Sequence, residues 1–238
     1  MNLKFDLLVF DWDGTLMDSE SHIVACLALA LREVGLPPRD TRSLRQVIGL
    51  GLREAMLALL PEAPASTVQE AVDAYRRHFL SSQPTPSELF PGVLETLDTL
   101  RAAGFRMAVA TGKSRRGLDK VLDETALHPY FEATRCADET RSKPDPLMLR
   151  ELLDELAVDA GRALMIGDTE FDLAMAAAMA MPRIGVGYGV HERDRLLRHA
   201  PLAILEDIRE LVAWLGHDPA VDAGLIHRIS NHNATTPL

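Results

Sequence analysis

The chain has 238 residues, of which 47% are hydrophobic and 25% charged, the composition of a globular protein long enough for one α/β domain with an insertion or for two small domains. Lys and Arg number 25 against 35 Asp and Glu, a formal charge of −10, which argues against nucleic acid or an anionic membrane surface as partner because both require a basic face. Cys26 and Cys136 show no CxxC or His-rich spacing, so neither a disulfide framework nor a zinc site is expected and a reduced, cytoplasmic setting fits. No apolar run approaches the ~20 residues that cross a bilayer, and Met-Asn-Leu-Lys-Phe-Asp at the start lacks signal-peptide architecture.

In chain order, the apolar run over 5–10 does not alternate, the pattern of a strand buried on both faces of a parallel sheet. It stops at Asp11-Trp12-Asp13-Gly14-Thr15. From 18 to 88 the spacing is helical throughout, with no strand candidate. Helices are predicted over 23–34 before Gly35, 41–48 before Gly49, 52–60 before Pro61, and 67–80 before Ser-Ser-Gln-Pro. Beyond it come a helix over 92–103 stopped by Gly104, a strand over 107–110, a helix entered through Pro144-Asp145-Pro146, and strands over 163–166 and 184–186. The rhythm predicts a doubly wound parallel α/β core built from residues 1–17 and 89–216, interrupted by a helical insertion over 18–88. Residues 217–238, with His217, His227 and His232, read as a peripheral tail.

Asp11 and Asp13 stand two apart on an extended segment and are expected on one side of it, at the carboxyl end of a parallel strand where open α/β sheets bind ligands. Carboxylates so placed repel unless a cation lies between them, so the pair reads as an acid/base couple or a metal site, with an acidic turn as the plain alternative. A second acidic cluster, Gly167-Asp168-Thr169-Glu170-Phe171-Asp172, puts Asp168 at another strand end, while Glu170 and Asp172 could equally cap the next helix. Thr111 and Gly112 end a strand with a hydroxyl and free N–H groups that can cradle a phosphate. Lys113, beside them, is the kind of residue more often solvated. Lys143, before Pro144, offers a fixed positive charge for a crowd of carboxylates. Trp12 is expected to point away from both aspartates into packing.

The order Asp11-x-Asp13-Gly-Thr, Thr111, Lys143-Pro144 and Gly167-Asp168-x-x-x-Asp172 resembles the haloacid dehalogenase superfamily of phosphohydrolases, over everything except the tail. The insertion resembles the helical cap of its phosphoglycolate phosphatase-like branch. The resemblance implies a Mg²⁺-dependent phosphatase for a small phosphorylated metabolite, with Asp11 as nucleophile and Asp13 as the acid that protonates the leaving alcohol. It implies Thr111, Gly112 and Lys143 around the phosphoryl oxygens, and Mg²⁺ on Asp11, Asp168 and the Asp13 carbonyl, with Asp172 behind them. Asp13 argues for phosphatase or mutase chemistry over dehalogenation. A phosphomutase of the β-phosphoglucomutase type, or a pyrophosphatase or nucleotidase of the same fold, stays open, as does monomer or homodimer. Within the cap, Arg39, Arg42, Arg45 and Arg53 face Asp40 alone around the loop Ile48-Gly49-Leu50-Gly51. Arg45 and Arg53 are therefore expected to meet an anionic substrate, against the alternative of arginines on a solvated helix face. Gly112-Lys113-Ser114-Arg115-Arg116 is a second basic patch with the same two readings.

Overall fold

The computed structural model describes residues 5–81 and 88–217. Its elements are β1 (Leu7–Phe10), β2 (Met17–Asp18), α1 (Glu20–Glu33), α2 (Thr41–Arg45), α3 (Leu52–Leu59), α4 (Ala65–Ser81), β3 (Glu88–Leu89), α5 (Val93–Ala102), β4 (Arg106–Thr111) and α6 (Arg115–Thr125). There follow β5 (Ala133–Cys136), α7 (Leu147–Leu156), β6 (Ala163–Gly167), α8 (Glu170–Ala177), β7 (Arg183–Val186), α9 (Arg193–Leu197), β8 (Ile204–Leu205) and α10 (Glu210–His217). Six strands form one parallel sheet in the order β5-β4-β1-β6-β7-β8.

The non-alternating character of β1 has a direct cause. Leu8 and Phe10 face a cluster that includes Leu97 of α5 and Leu118 of α6, while Leu7 and Val9 face one that includes Leu149 of α7 and Met175 of α8. Both faces are covered, so every position is apolar, and each such side chain contributes about 1.5–3 kcal/mol on burial.

Helices α1 to α4 pack on each other around their own apolar cluster, with Leu27, Leu31, Leu44, Met56, Val68 and Val72 among its buried members. Contrary to the expectation of no strand over 18–88, Asp18 and Glu88 belong to a short antiparallel ribbon in which Met17 faces Leu89 and Asp18 faces Glu88. The chain leaves the sheet layer and returns to it through adjacent strands. The second predicted helix is also shorter than expected, since α2 ends at Arg45 and the chain passes through turns to Gly49 at φ +99°. Strands β5 and β8 had no apolar run to announce them. Both lie at sheet edges, β5 reads Ala-Thr-Arg-Cys with its two middle residues half-buried, and β8 is two residues long. His217 closes α10; the rest of the expected tail, with His227 and His232, lies outside the described residues.

Candidate active site

Strand register puts the candidate residues on one edge of the sheet. Phe10 stands opposite Val109 of β4 and Ile166 of β6, and the Asp11 N–H donates to the Ile166 carbonyl at 2.9 Å. Asp11 follows β1, Thr111 ends β4 and Asp168 follows β6. The three therefore gather outside the carboxyl ends of neighbouring central strands, the ligand crevice of an open α/β sheet.

Asp11 is 1% exposed, and Lys143 Nζ lies 2.6 Å from its Oδ1 and 2.6 Å from Oδ1 of Asp172. The other Asp11 oxygen, Oδ2, accepts no hydrogen bond among the described residues. Asp168 is oriented from both sides, accepting from the Thr15 hydroxyl at 3.0 Å and from the Val190 N–H at 2.8 Å. Asp172 accepts from the Thr169 N–H at 3.1 Å and hydroxyl at 2.7 Å inside a capping box that opens α8. Capping and membership of the carboxylate group are thus one arrangement in Asp172. Ligand atoms of Asp11, Asp168 and Asp172 all lie within 4.8 Å of one another.

The electrostatics follow from burial. Desolvation holds the Asp11 carboxyl well above the usual range, with Lys143 opposing and the charges of Asp172 and Asp168 adding to it. Asp168 is raised to about 7, by burial first and then by Asp172. Burial works against the Lys143 ammonium, yet Asp11 and Asp172 together push its pKa above the lysine range. Three buried carboxylates against one lysine leave negative charge in excess. This all-oxygen set, with Asp11 Oδ2 unpartnered, fits a hard divalent cation.

Asp13 does not join that group. Its carboxylate accepts from Lys113 Nζ at 2.9 and 3.0 Å and from the Ser19 hydroxyl at 2.6 Å. The like-charge neighbours of Asp11 are Asp168 and Asp172, rather than Asp13 as the two-residue spacing suggested. The reason is the turn that follows β1. Gly14 sits at φ +83°, where a Cβ would come within 2.1 Å of Asp168 Oδ2, and the Leu16 and Met17 N–H groups donate to the Trp12 carbonyl. Trp12 itself is fully buried, its Nε1–H directed at Met17 Sδ and its ring edge-on to Phe131. Lys113, expected to be solvated, has a side chain 6% exposed and stands over the Phe79 ring at 5.0 Å from its centroid.

Thr111 is fully buried, and its hydroxyl oxygen accepts from the Lys113 N–H at 3.2 Å. Gly112 passes directly beneath the loop between α2 and α3: a Cβ there would lie 2.6 Å from the Gly49 carbonyl oxygen and 2.7 Å from that of Leu50. The two cap arginines separate. Arg53 lines a cavity of about 580 Å³ between α1, α3, α4 and the loop after β4. Arg45 is not among the residues lining it; it pairs with Glu20 at 2.9 Å and donates to the Val190 carbonyl at 3.3 Å. In the second basic patch Arg115 is tied to Glu139 and Asp119, whereas Arg116 lines the cavity. Glu170 points away from the carboxylate group and pairs with Arg195.

Sequence reasoning missed Lys113, Ser19, Thr15 and Thr169 as supporting residues. The two threonines stood inside the motifs and could have been suspected as orienting hydroxyls. Nothing local marks Lys113 as the partner of Asp13, because that contact spans two strand ends.

The profile of the haloacid dehalogenase-like hydrolase family matches residues 8–186. A protein of Dickeya dadantii named probable phosphatase IndB is 36% identical over 87% of this chain and 91% of its own length. The phosphoglycolate phosphatase of Agrobacterium fabrum is 31% identical over 88% of this chain and 91% of its own. Among solved structures, a predicted phosphatase from Clostridium acetobutylicum superposes with a TM-score of 0.79 at 27% identity, covering 87% of this chain and 96% of that one. With the strand-end aspartates, the buried lysine and these likenesses in place, the chain belongs to the haloacid dehalogenase-like hydrolase family.

Proposed function

We propose that the chain is a Mg²⁺-dependent phosphatase that hydrolyses a small phosphorylated metabolite through an aspartyl-phosphate on Asp11. The observation that carries the reading is the Asp11 carboxylate: buried at the end of β1, clamped at one oxygen by Lys143 and without a hydrogen-bond partner at the other. A carboxylate oxygen of Asp11 attacks phosphorus, the bond from phosphorus to the ester oxygen breaks, and the leaving oxygen takes a proton from Asp13. Water then attacks the aspartyl-phosphate and gives its proton back to Asp13, so phosphate leaves and Asp11 is restored. Lys143, the Thr111 hydroxyl and the N–H groups after β4 hold the transferring oxygens, as positioning and charge neutralisation are most of phosphoryl-transfer catalysis. Asp11, Asp168 and the Asp13 carbonyl, with Asp172 behind them, would hold Mg²⁺, which when bound neutralises charge on the phosphoryl group.

Helices α1 to α4 serve in this reading as a cap over the crevice. Arg53 supplies a positive charge to an anionic substrate from the cavity wall. Cys26 and Cys136 are buried and form no disulfide, which suits a reducing cytoplasm.

The test is phosphate release from a panel of monoesters, phosphoglycolate included, with and without Mg²⁺. Wild type is expected to release phosphate only with Mg²⁺, and Asp11→Asn to lose at least about a thousandfold in kcat/KM with its fold intact. Full turnover by Asp11→Asn would remove Asp11 as the nucleophile.

A further inference from the structure

The cavity between the helical layer and the loop after β4 has a volume of about 580 Å³. That is within the roughly 300–1,000 Å³ range of sites that enclose drug-sized ligands. Its walls are mostly apolar: Ile23 and Leu27 from α1, Leu52 from α3, and Tyr75 and Phe79 from α4. Tyr75 and Phe79 lie one turn apart on α4 with ring centroids 5.7 Å apart and planes inclined by 19°, so they present a continuous aromatic surface. This surface runs up to Lys113. Lys113 lines the same cavity, stands over the Phe79 ring, and holds both oxygens of Asp13. Burial, with the Asp13 charge adding to it, pushes the Tyr75 phenol well above its ordinary range.

In the proposed mechanism Asp13 hands its proton to the leaving alcohol, so whatever carbon that alcohol carries has to extend from Asp13 past Lys113. The space waiting there is mostly apolar, with Arg53 and Arg116 among its lining residues. A two-carbon acid, the substrate in the names of several relatives, would leave most of it as water against hydrocarbon walls, at roughly 30 Å³ of liquid per molecule. We infer that the favoured substrate is a phosphomonoester whose alcohol carries an apolar body of about the size of an aromatic ring, seated between Leu27, Leu52, Tyr75 and Phe79. This inference rests on the phosphatase reading for its chemistry and on the cavity for its specificity.

The experiment uses the full-length protein with Mg²⁺ and compares kcat/KM for benzyl phosphate, methyl phosphate and phosphoglycolate. Benzyl phosphate is expected to exceed phosphoglycolate by at least about tenfold, the discrimination that even a small apolar group earns in a matching pocket. Phe79→Ala is expected to lower kcat/KM for benzyl phosphate by several-fold more than for methyl phosphate. Phosphoglycolate turned over as well as or better than benzyl phosphate would overturn the inference, as would an equal effect of Phe79→Ala on both simple esters. A parallel binding measurement separates the two readings: benzylphosphonate and phosphonoacetate are titrated into the same Mg²⁺-loaded protein. If no ester is hydrolysed yet benzylphosphonate binds at least about tenfold tighter, the phosphatase reading falls and the apolar site stands. Equal affinities would sink the apolar site whether or not the protein is a phosphatase.

Discussion

Lys113 Nζ lies 2.9 Å from one carboxylate oxygen of Asp13 and 3.0 Å from the other, across 100 positions of sequence. Each aspartate of the first motif thus has its own lysine, Lys143 for Asp11 and Lys113 for Asp13. The two carboxylates that the sequence presents as a couple are electrostatically assigned to different partners. Lys113, with Ser19, fixes where Asp13 points. Replacing Lys113 by Met is expected to lower kcat/KM for alkyl phosphates by about a hundredfold, the low end of a general acid's contribution. The loss should be much smaller for p-nitrophenyl phosphate, whose leaving oxygen needs no proton. Kinetics across esters of graded alcohol acidity check this, and an equal loss for all of them would mean that Lys113 does not act through the proton donor.

Metal affinity should carry the imprint of Asp168. Its carboxyl is raised to about 7 by burial and by Asp172, so a cation must displace a proton from it below that pH. Mg²⁺ is expected to bind about tenfold more weakly at pH 6 than at pH 8, with proton release on binding. Titration calorimetry in buffers of different ionisation enthalpy measures both. The sign also holds for the metal-free fold. A carboxyl whose pKa is raised on folding opposes folding once ionised, so its penalty grows as pH rises towards 7 and Mg²⁺ should raise Tm most at alkaline pH.

Arg45 and Arg53 are expected to behave differently although they occupy one basic segment. Arg53 lines the cavity and makes no ion pair among the described residues, so Arg53→Ala should raise KM for an anionic substrate by roughly tenfold. Arg45 is engaged with Glu20 and the Val190 carbonyl. Its side chain is 41% exposed, so Arg45→Ala should cost only about 0.5 kcal/mol of stability and leave KM within about twofold. Steady-state kinetics and thermal denaturation of the two variants decide the matter; equal KM effects would contradict it.

His191 supplies a pH dependence of opposite sign. It is 3% exposed, its Nδ1 accepts the Glu170 N–H at 3.0 Å, and burial, with Arg195 adding to it, pushes its pKa from 6.5 down to about 4. The unfolded chain takes up a proton at this residue as pH falls below 6.5, while the folded chain resists until about 4. Stability is therefore fully present above 6.5 and lost over that window, by roughly 3 kcal/mol in all. His191→Asn keeps an acceptor for Glu170 but does not titrate. Urea denaturation at pH 7.5 and 4.5 should show a larger acid loss for wild type than for the variant, and identical losses would acquit His191.

The α/β class, the place of each central strand, the three strand-end motifs and the Lys143-Pro144 motif were legible in the sequence. They were so because these features are local. A strand covered on both faces is apolar at every position, and a residue that must stand at a strand end is written next to that strand, as Asp11, Thr111 and Asp168 are. Edge strands escaped because an edge needs neither an apolar run nor length: β5 keeps Thr134 and Arg135 half-buried, and β8 is two residues. Who pairs with whom follows from the folded arrangement alone. Lys113 reads in sequence like any solvated lysine, and Arg45 and Arg53 read alike. Direction in space separates them, through the turn at Gly14 that sends Asp13 towards Lys113 and the packing of α1 to α4 that opens an apolar cavity beside it. Hydrophobic periodicity is a property of one element. Charge pairing and cavity shape belong to surfaces that meet from different elements, and no single stretch of sequence contains them.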